Sequence, residues 1–314
     1  MKQAIIDIGT NSSLLLIGSV SDKNKIQCDR QKFIVTRLGE GISKSDMIKE
    51  EAMQRTLDAL EEFNQIIREL HIQSVHVLGT EALRKAKNSN IFKDMVRAKF
   101  DWDLQIIKPT DEATYSYLGA LDSIHKPDGQ NLVIDVGGGS TELILGEKMI
   151  IRSSCSIPVG VVRLAERYSM KQQLSADDRT QIESVLHDNF GSQKIFNDLK
   201  RNITIIGVGG TITTLVAIQQ KMFRYDPGKV NGYVIDVSKI NNLFTYLNSL
   251  SLEERRRIPG LVKGREDVIL YGTLIFLYLL RQTKQNCIVA SDRGLRFGYL
   301  KWLSLKTETD YPRI

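Results

Sequence analysis

Apolar positions fall along this chain in short blocks that alternate with amphipathic stretches. Residues 3–8 are almost continuously apolar, as expected for a strand covered on both faces, and residues 14–20 and 26–35 read as two further strands. Between 47 and 70, Leu57, Leu60, Ile67 and Leu70 stand at helical spacing with charges between them. A strand over Ser74–Leu78 runs into the turn Gly79-Thr80 and a helix whose first turn holds Glu81, Ala82 and Leu83. Residues 104–107 predict another strand, and Pro109-Thr110-Asp111-Glu112 opens a helix through Leu121 with Thr110 as its cap. After His125-Lys126-Pro127-Asp128-Gly129, the best linker candidate, the strand–turn–strand order restarts at Asn131. Helices are expected at 160–168, 175–189 and 192–199. A strand over Ile203–Ile206 leads into a helix from Ile212 to Gln220. Cys287–Ala290 is a strand, followed by the turn Ser291-Asp292-Arg293-Gly294 and a helix over 295–304. The apolar run from Val268 to Leu280 reads as a buried helix, short of the ~18 residues of a membrane span. Strands alternating with helices predict an α/β protein, and 314 residues suit two domains.

One local pattern occurs twice. Ala4-Ile5-Ile6-Asp7-Ile8-Gly9-Thr10-Asn11-Ser12-Ser13 returns as Leu132-Val133-Ile134-Asp135-Val136-Gly137-Gly138-Gly139-Ser140-Thr141. Each is an apolar strand ending in Asp, then a glycine turn with hydroxyls, then a second apolar run. Such a turn offers backbone N–H groups and hydroxyls to phosphate, and the Asp offers a carboxylate to a metal or a water. In the first copy Thr10, Asn11, Ser12 and Ser13 can donate to phosphoryl oxygens, although a plain β-hairpin turn uses the same residues. The three glycines of the second copy exceed what a hairpin needs. Glu142 stands where the first copy has Leu14, so one half carries an extra carboxylate. Asp135 and Glu142 are the candidate Mg²⁺ ligands, and an exposed strand position is the bland alternative for Glu142. Two copies imply two related half-molecules with phosphate held between them.

A third glycine turn, Gly207-Val208-Gly209-Gly210-Thr211, opens a helix whose N-terminus attracts anions. It matches neither the Rossmann spacing nor a Walker A loop; tight strand–helix packing is the competing explanation. On spacing alone, Asp111 and Glu112 merely suit the dipole of a first helical turn. His187-Asp188 resembles the dipeptide of HD phosphohydrolases, but His71, His76 and His125 are not at ligand spacing. No Ser/His/Asp or Cys/His constellation is present.

Composition narrows this picture. With 43 basic and 37 acidic residues the net charge is +6, which fits an anionic substrate. The clusters Arg84-Lys85-Ala86-Lys87, Arg255-Arg256-Arg257 and Lys263-Gly264-Arg265 lack interleaved aromatics, so nucleic acid is not the expected partner. Cys28, Cys155 and Cys287 form neither a disulfide framework nor a zinc pattern. With no signal peptide and no membrane span in the sequence, a cytoplasmic location is expected.

Taken together, the motifs resemble those of the Ppx/GppA exopolyphosphatase and guanosine pentaphosphate phosphohydrolase family, in its short two-domain form. The matching residues are Asp7-Ile-Gly-Thr-Asn-Ser12, Arg37-Leu-Gly39, Gly79-Thr-Glu-Ala-Leu-Arg84-Lys-Ala86, Glu112-Ala with Tyr117-Leu-Gly119, Asp135-Val-Gly-Gly-Gly-Ser-Thr-Glu142, Pro158-Val-Gly160, Gly207-Val-Gly-Gly-Thr211 and Asp292-Arg-Gly-Leu-Arg296. The resemblance implies two actin-like (ribonuclease H-like) domains of the actin/Hsp70/sugar kinase superfamily with an interdomain cleft. The first is expected over 1–124 and the second over 125–299, with a C-terminal helix, about 300–314, packing back on the first. By the resemblance to the short form, the longer members' C-terminal HD-type helical domain is not expected.

The implied activity is Mg²⁺-dependent release of terminal phosphate from inorganic polyphosphate, or hydrolysis of guanosine pentaphosphate to the tetraphosphate. Mn²⁺ and a monovalent cation are further candidate ions, and a homodimer is a candidate assembly. By the resemblance, Glu112 is the catalytic glutamate that positions and deprotonates water, with Asp135 and Glu142 near the metal. Arg84 faces phosphate, joined by Asp7, Gly9, Thr10, Asn11, Ser12, Gly137, Gly138, Gly139, Ser140, Thr141, Gly209, Gly210 and Thr211. Two departures are visible. Many members carry Arg near the position of Leu14, and the glutamate motif is Asp111-Glu112-Ala113 where Glu-Glu-Ala is frequent. The rival functions are a superfamily kinase using ATP, for which no acceptor pocket or base can be nominated, and a guanosine tetra- or pentaphosphate sensor with weak turnover, against which Glu112 argues.

Overall fold

The computed structural model describes residues 1–21, 25–124 and 129–307. In chain order the elements are β1 (Gln3–Ile8), β2 (Ser12–Val20), β3 (Ile26–Val35), α1 (Ile42–Ser45), α2 (Glu50–Glu69), β4 (Ser74–Gly79), α3 (Glu81–Lys85), α4 (Ser89–Phe100), β5 (Leu104–Ile106) and α5 (Pro109–Leu121). There follow β6 (Gln130–Val136), β7 (Thr141–Glu147), β8 (Ile150–Ile157), α6 (Val161–Arg167), α7 (Ala176–Phe190), β9 (Thr204–Val208), α8 (Gly210–Gln219), α9 (Pro227–Val230), β10 (Val234–Asp236), α10 (Val237–Ser249), α11 (Leu252–Arg255), α12 (Ile269–Thr283), β11 (Cys287–Ala290) and α13 (Leu295–Thr307). No described helix is long and apolar enough to cross a membrane.

The chain divides into two compact units, Met1–Gly119 with the segment from Leu295, and Ala120–Gly294. The divisions fall inside α5 and at the start of α13. Residues 125–128 of the linker candidate lie outside the described residues, as do 308–314.

The first unit holds a five-stranded sheet of order β3-β2-β1-β4-β5. Strands β1, β2 and β3 form an antiparallel meander, β4 runs parallel to β1, and β5 parallel to β4. The second unit holds six strands in the order β10-β11-β9-β6-β7-β8. Here β6, β7 and β8 form the meander, β9 runs parallel to β6 and β11 parallel to β9, with β10 antiparallel at the edge. Without β10 the two sheets share order and direction, the arrangement expected of two actin-like domains.

The likeness extends beyond topology. A constant offset carries Asp7 onto Asp135, Gly9 onto Gly137 and Ser12 onto Ser140, and it continues to Gly18 and Gly146. At that pair both meanders shift register, between Ile17 and Gly18 and between Leu145 and Gly146. The extra residue of a bulge twists the strand locally, so both hairpins carry the same kink.

Alternation along β1 sets the layers of the first unit. Ala4, Ile6 and Ile8 pack with Leu60 and Phe63 of α2, whereas Ile5 packs with Leu16, Tyr115, Phe297 and Leu300. Both faces are covered, as the nearly continuous apolar run predicts. In the second unit the apolar run after Val268 is a buried helix: Leu274, Ile275, Phe276, Leu279 and Leu280 of α12 are at most 4% exposed. Each such side chain contributes about 1.5–3 kcal/mol on burial.

Local expectations fail at a few places. Residues 192–199 are not an α-helix; Lys194–Asp198 is a 3-10 helix, its Phe196 N–H donating to Gln193 O at 3.2 Å, and Ile195 is its buried anchor. Pro109 already belongs to α5, and Lys108 O accepts from Asp111 and Glu112, so Thr110 is inside the helix and not its cap. Helices α4 and α10 were not anticipated.

Helix α13 contacts β1 and β2 and passes very close to α5. A Cβ at Gly298 would lie 1.7 Å from Tyr115 O and 2.9 Å from Gly119 N, both backbone atoms that cannot swing aside. Gly298→Ala should therefore push α5 away from α13 and cost about 2 kcal/mol or more, as overpacking does. Urea unfolding of the two proteins checks this; an unchanged midpoint would contradict the close crossing.

Candidate functional site

The first turn sits between β1 and β2. Gly9 N–H donates to Ser12 O at 3.0 Å, and a Cβ on Gly9 would stand 3.1 Å from that oxygen. The register sets Asp7 opposite Leu14. Thr36 and Arg37 donate their N–H groups to Asn11 O, and the Asn11 amide donates to Ser12 Oγ at 3.4 Å. Not every expected phosphate donor points outward. Ser13 is fully buried with its hydroxyl 3.2 Å from that of Thr36, and Thr10 Oγ1 donates to Glu81 Oε2 at 3.1 Å.

The second turn repeats the closure: Gly137 N–H donates to Ser140 O at 3.0 Å. Here the register places Asp135 directly opposite Glu142, so both carboxylates project from one face of the sheet. Glu142 is only 3% exposed, which corrects the picture of a solvated strand residue. Its Oε1 accepts from Ser140 Oγ and Ser156 Oγ, each at 2.7 Å. Ser156 comes from β8 and was not singled out in the sequence. Thr141 is fully buried and donates to Val159 O, so its hydroxyl serves the fold.

A buttress shapes this turn from behind. Gly137 O accepts from Val161 N, and Gly138 O from Val162 N and Arg163 N. A Cβ at Gly160 would lie 2.5 Å from Gly138 C and O and 2.6 Å from Gly139 C. The Pro158-Val-Gly160 motif thus exists to let the chain entering α6 press on the glycine turn.

The third turn packs beside the second. Gly209 has φ +96°, and a Cβ there would lie 2.7 Å from Val136 O and 3.2 Å from Asp135 Oδ1. Only glycine meets both the conformation and the space. Gly210 opens α8 with the Arg265 guanidinium against it. Arg265 Nη1 donates to Gly210 O at 2.5 Å and to Thr214 Oγ1 at 3.1 Å, and burial lowers its pKa to about 10. Arg265 is the cation that the sequence reading missed: it stood there only as one of a basic cluster, because nothing local ties it to Gly210. Thr211 faces away, with its hydroxyl against Gly272 of α12.

In the first unit the corresponding junction is β4–α3. Thr80 N–H donates to Ile8 O at 3.2 Å, next to the first turn. Helix α3 then carries Arg84, whose Nη1 donates to Glu112 Oε2 at 2.6 Å and to Ile107 O at 3.0 Å. Both side chains of this ion pair are largely buried, at 17% and 12% exposed. Arg84 and Glu112, named separately from the sequence, are therefore one unit of structure.

Two like charges directly opposite on a sheet destabilise it unless something offsets them. Asp135 and Glu142 form such a pair, and their oxygens are the hard donors that Mg²⁺ prefers. Among the described residues no three His, Cys, Asp or Glu side chains cluster as a metal cage. His187 lies on α7, near Tyr278 OH, and belongs to no such cluster.

Residues 18–306 match the Ppx/GppA phosphatase family. The chain belongs to that family. It is 32% identical over 307 residues to the bifunctional 3-dehydroquinate synthase/phosphatase of Fusobacterium nucleatum, covering 94% of this chain but 46% of that protein. It is 27% identical to exopolyphosphatase 2 of Mycobacterium tuberculosis, covering 91% and 92% of the two chains. With the guanosine-5'-triphosphate,3'-diphosphate pyrophosphatase of Vibrio atlanticus it shares 28% identity over 94% of this chain and 58% of the other. The chain thus spans about half the length of two of these relatives and nearly all of the third. Among solved structures, the Aquifex aeolicus family member superposes with a TM-score of 0.81 at 32% identity, covering 99% of both chains.

The placement of Glu142 can be read through a neighbour. Cys155 on β8 has its thiol pKa raised to about 11, by burial first and by the Glu142 charge second. A negative neighbour disfavours thiolate, so Glu142→Gln should lower that pKa. With the exposed Cys28 and Cys287 replaced by Ser, the rate of Cys155 alkylation against pH should have its midpoint at about 11 in the parent and lower in Glu142→Gln. Identical profiles would remove Glu142 from this neighbourhood.

Proposed function

We propose that this chain releases the terminal phosphate of inorganic polyphosphate or of guanosine pentaphosphate, with Glu112 as base for the attacking water. The observation that carries this reading is the carboxylate pair Asp135 and Glu142, set face to face between two glycine turns. The names of the relatives, an exopolyphosphatase and a guanosine-5'-triphosphate,3'-diphosphate pyrophosphatase, support the class: a hydrolase of phosphoanhydride bonds.

Phosphoryl transfer depends on positioning and charge neutralisation more than on covalent help from the protein. Backbone N–H groups of the glycine turns, with Asn11 and Ser12, meet phosphoryl oxygens, Ser140 gives its hydroxyl proton to Glu142, and Arg265 adds a cation at Gly210. Arg84 belongs to this set through its ion pair, which holds the Glu112 carboxylate in one orientation. Asp135 and Glu142 would hold Mg²⁺, whose charge offsets that of the phosphates. The oxygen of water attacks the terminal phosphorus, one of its protons passes to Glu112, and the P–O bond to the bridging oxygen breaks. The shortened chain leaves with that oxygen. No acceptor other than water enters, which separates this reaction from a kinase.

Glu112→Gln keeps the shape and the contact to Arg84 but cannot take a proton. It should fold normally and lose about 10²- to 10⁴-fold in rate, the contribution typical of a general base. Phosphate release from polyphosphate and from guanosine pentaphosphate, measured without any acceptor and with and without Mg²⁺, checks this. Wild-type turnover in the variant would defeat the assignment of Glu112. Absence of phosphate release by the wild-type chain from both substrates would defeat the function.

A further inference from the structure

Glu81 opens α3, and an acidic side chain there suits the helix dipole. The dipole does not explain where the carboxylate goes. Its Oε2 accepts the Thr10 hydroxyl at 3.1 Å, across 71 residues of chain, and its Oε1 takes Lys85 Nζ at 2.6 Å. Thr10 and Glu81 are both buried, at 9% and 8% exposed. The other branch of Thr10 is held as well. A Cβ on Gly39 would fall 2.3 Å from Thr10 Cγ2, and Gly39 N–H donates to Thr10 O at 2.9 Å. The Thr10 rotamer is therefore set from two sides, methyl on Gly39 and hydroxyl on Glu81.

Helix α3 has a second attachment. Arg84, three positions after Glu81, reaches Glu112 Oε2 and Ile107 O. A helix of five residues thus touches the first glycine turn with one side chain and the Glu112 carboxylate with another.

We infer that Glu81 is a positioning residue for the first turn, holding Thr10 in place and keeping that turn in register with Arg84 and Glu112. The inference rests on the function proposed above. It also changes the part played by Thr10. A hydroxyl has one proton, and that proton is directed at Glu81, so Thr10 shapes the turn and leaves donation to phosphate to its neighbours.

The test is a double-mutant cycle on the full chain, with Thr10→Val, Glu81→Ala and the pair, plus Glu81→Gln as the conservative variant. The Gln carbonyl still accepts from Thr10. For phosphate release from polyphosphate, Glu81→Ala should raise KM by about tenfold, the loss of roughly one buried hydrogen bond. Glu81→Gln should restore most of it, and the double variant should be no worse than Glu81→Ala alone. A carboxylate serving only the helix would lower the thermal midpoint and leave KM and kcat per folded molecule unchanged. That result, or additive effects of the two substitutions on KM, overturns the inference. If Glu81→Ala does not fold, the cycle is run with Glu81→Leu and Thr10→Val; leucine fills similar space but cannot accept from Thr10, so additivity has the same meaning. If the wild-type chain releases no phosphate, the cycle is read instead from tripolyphosphate affinity by calorimetry, so failure of the hydrolase reading stays distinct from failure of this one.

Discussion

The structure depends on a close approach of backbone to backbone at the end of a strand. In each unit the chain leaves its first strand after an Asp, and a glycine N–H turns back to the carbonyl three residues on, at 3.0 Å both times. That closure is tight: a Cβ on Gly9 or Gly137 would stand 3.1 Å from the accepting carbonyl oxygen. In the second unit the constraint is tighter still, because Gly160 presses on the backbone of Gly138 and Gly139 from behind, and Gly209 presses on Val136 and Asp135 from the side. Glycine loses more entropy on folding than other residues, so four such contacts in one place are costly. They fix the backbone of the turn beside the Asp135 and Glu142 pair, which a looser turn could not hold steady.

The two units solve the same problem with different polar chemistry. The cross-strand partner of the strand-end Asp is Leu14 in one and Glu142 in the other. In the second unit, two serine hydroxyls orient Glu142, so the charge is held by short local contacts from β8 and from the turn itself. In the first unit the acidic group beside the turn is Glu81, which arrives from α3 and is balanced by Lys85. A carboxylate on the strand can face a metal together with Asp135. A carboxylate on a helix, already paired with a lysine and a threonine, is suited to hold protein groups in place. The duplicated turns thus differ in what holds their acidic neighbour: two serine hydroxyls in one, a lysine and a threonine in the other.

Much of this was legible in the sequence, and what was not has a physical reason. Strand–turn–strand segments were found because apolar runs and glycines are local signals: the expected strand over 26–35 and the buried helix after Val268 both appear, and β2 begins only two residues earlier than its apolar run suggested. The repeat could be read as far as the turns, but the shared bulge at Gly18 and Gly146 lies in pairing, which sequence does not display. Of the residues named, Gly9, Thr10, Asn11, Gly137, Gly138, Gly139, Ser140 and Gly209 stand in the turns, Asp7, Asp135 and Glu142 in the flanking strands, and Arg84 and Glu112 on α3 and α5. Their individual partners were out of reach. Ser156 meets Glu142 from another strand, Glu81 meets Thr10 across 71 residues, and Arg265 meets Gly210 across 55. Periodicity tells which face a side chain occupies, not which distant segment faces it. For the same reason Thr10, Ser13, Thr141 and Thr211 looked like equivalent phosphate donors, although their hydroxyls are committed to the protein itself or turned into its core.

That last point bears on how a glycine turn recognises an oxyanion. If the threonine hydroxyls are spent internally, the donors left are mainly backbone N–H groups, whose direction is fixed by the turn. A backbone donor cannot relax toward a misplaced phosphate, so its contribution depends on the turn being held to within a few tenths of an ångström. The hydroxyls are then not lost to function. Thr141 bonded to Val159 O and Thr10 bonded to Glu81 convert hydroxyl groups that could have met the ligand loosely into fixed points of the scaffold. Preorganisation of this kind lowers the entropy that binding must remove, and it explains why so many small polar residues stand in these turns with so few of their hydroxyls free to face a ligand.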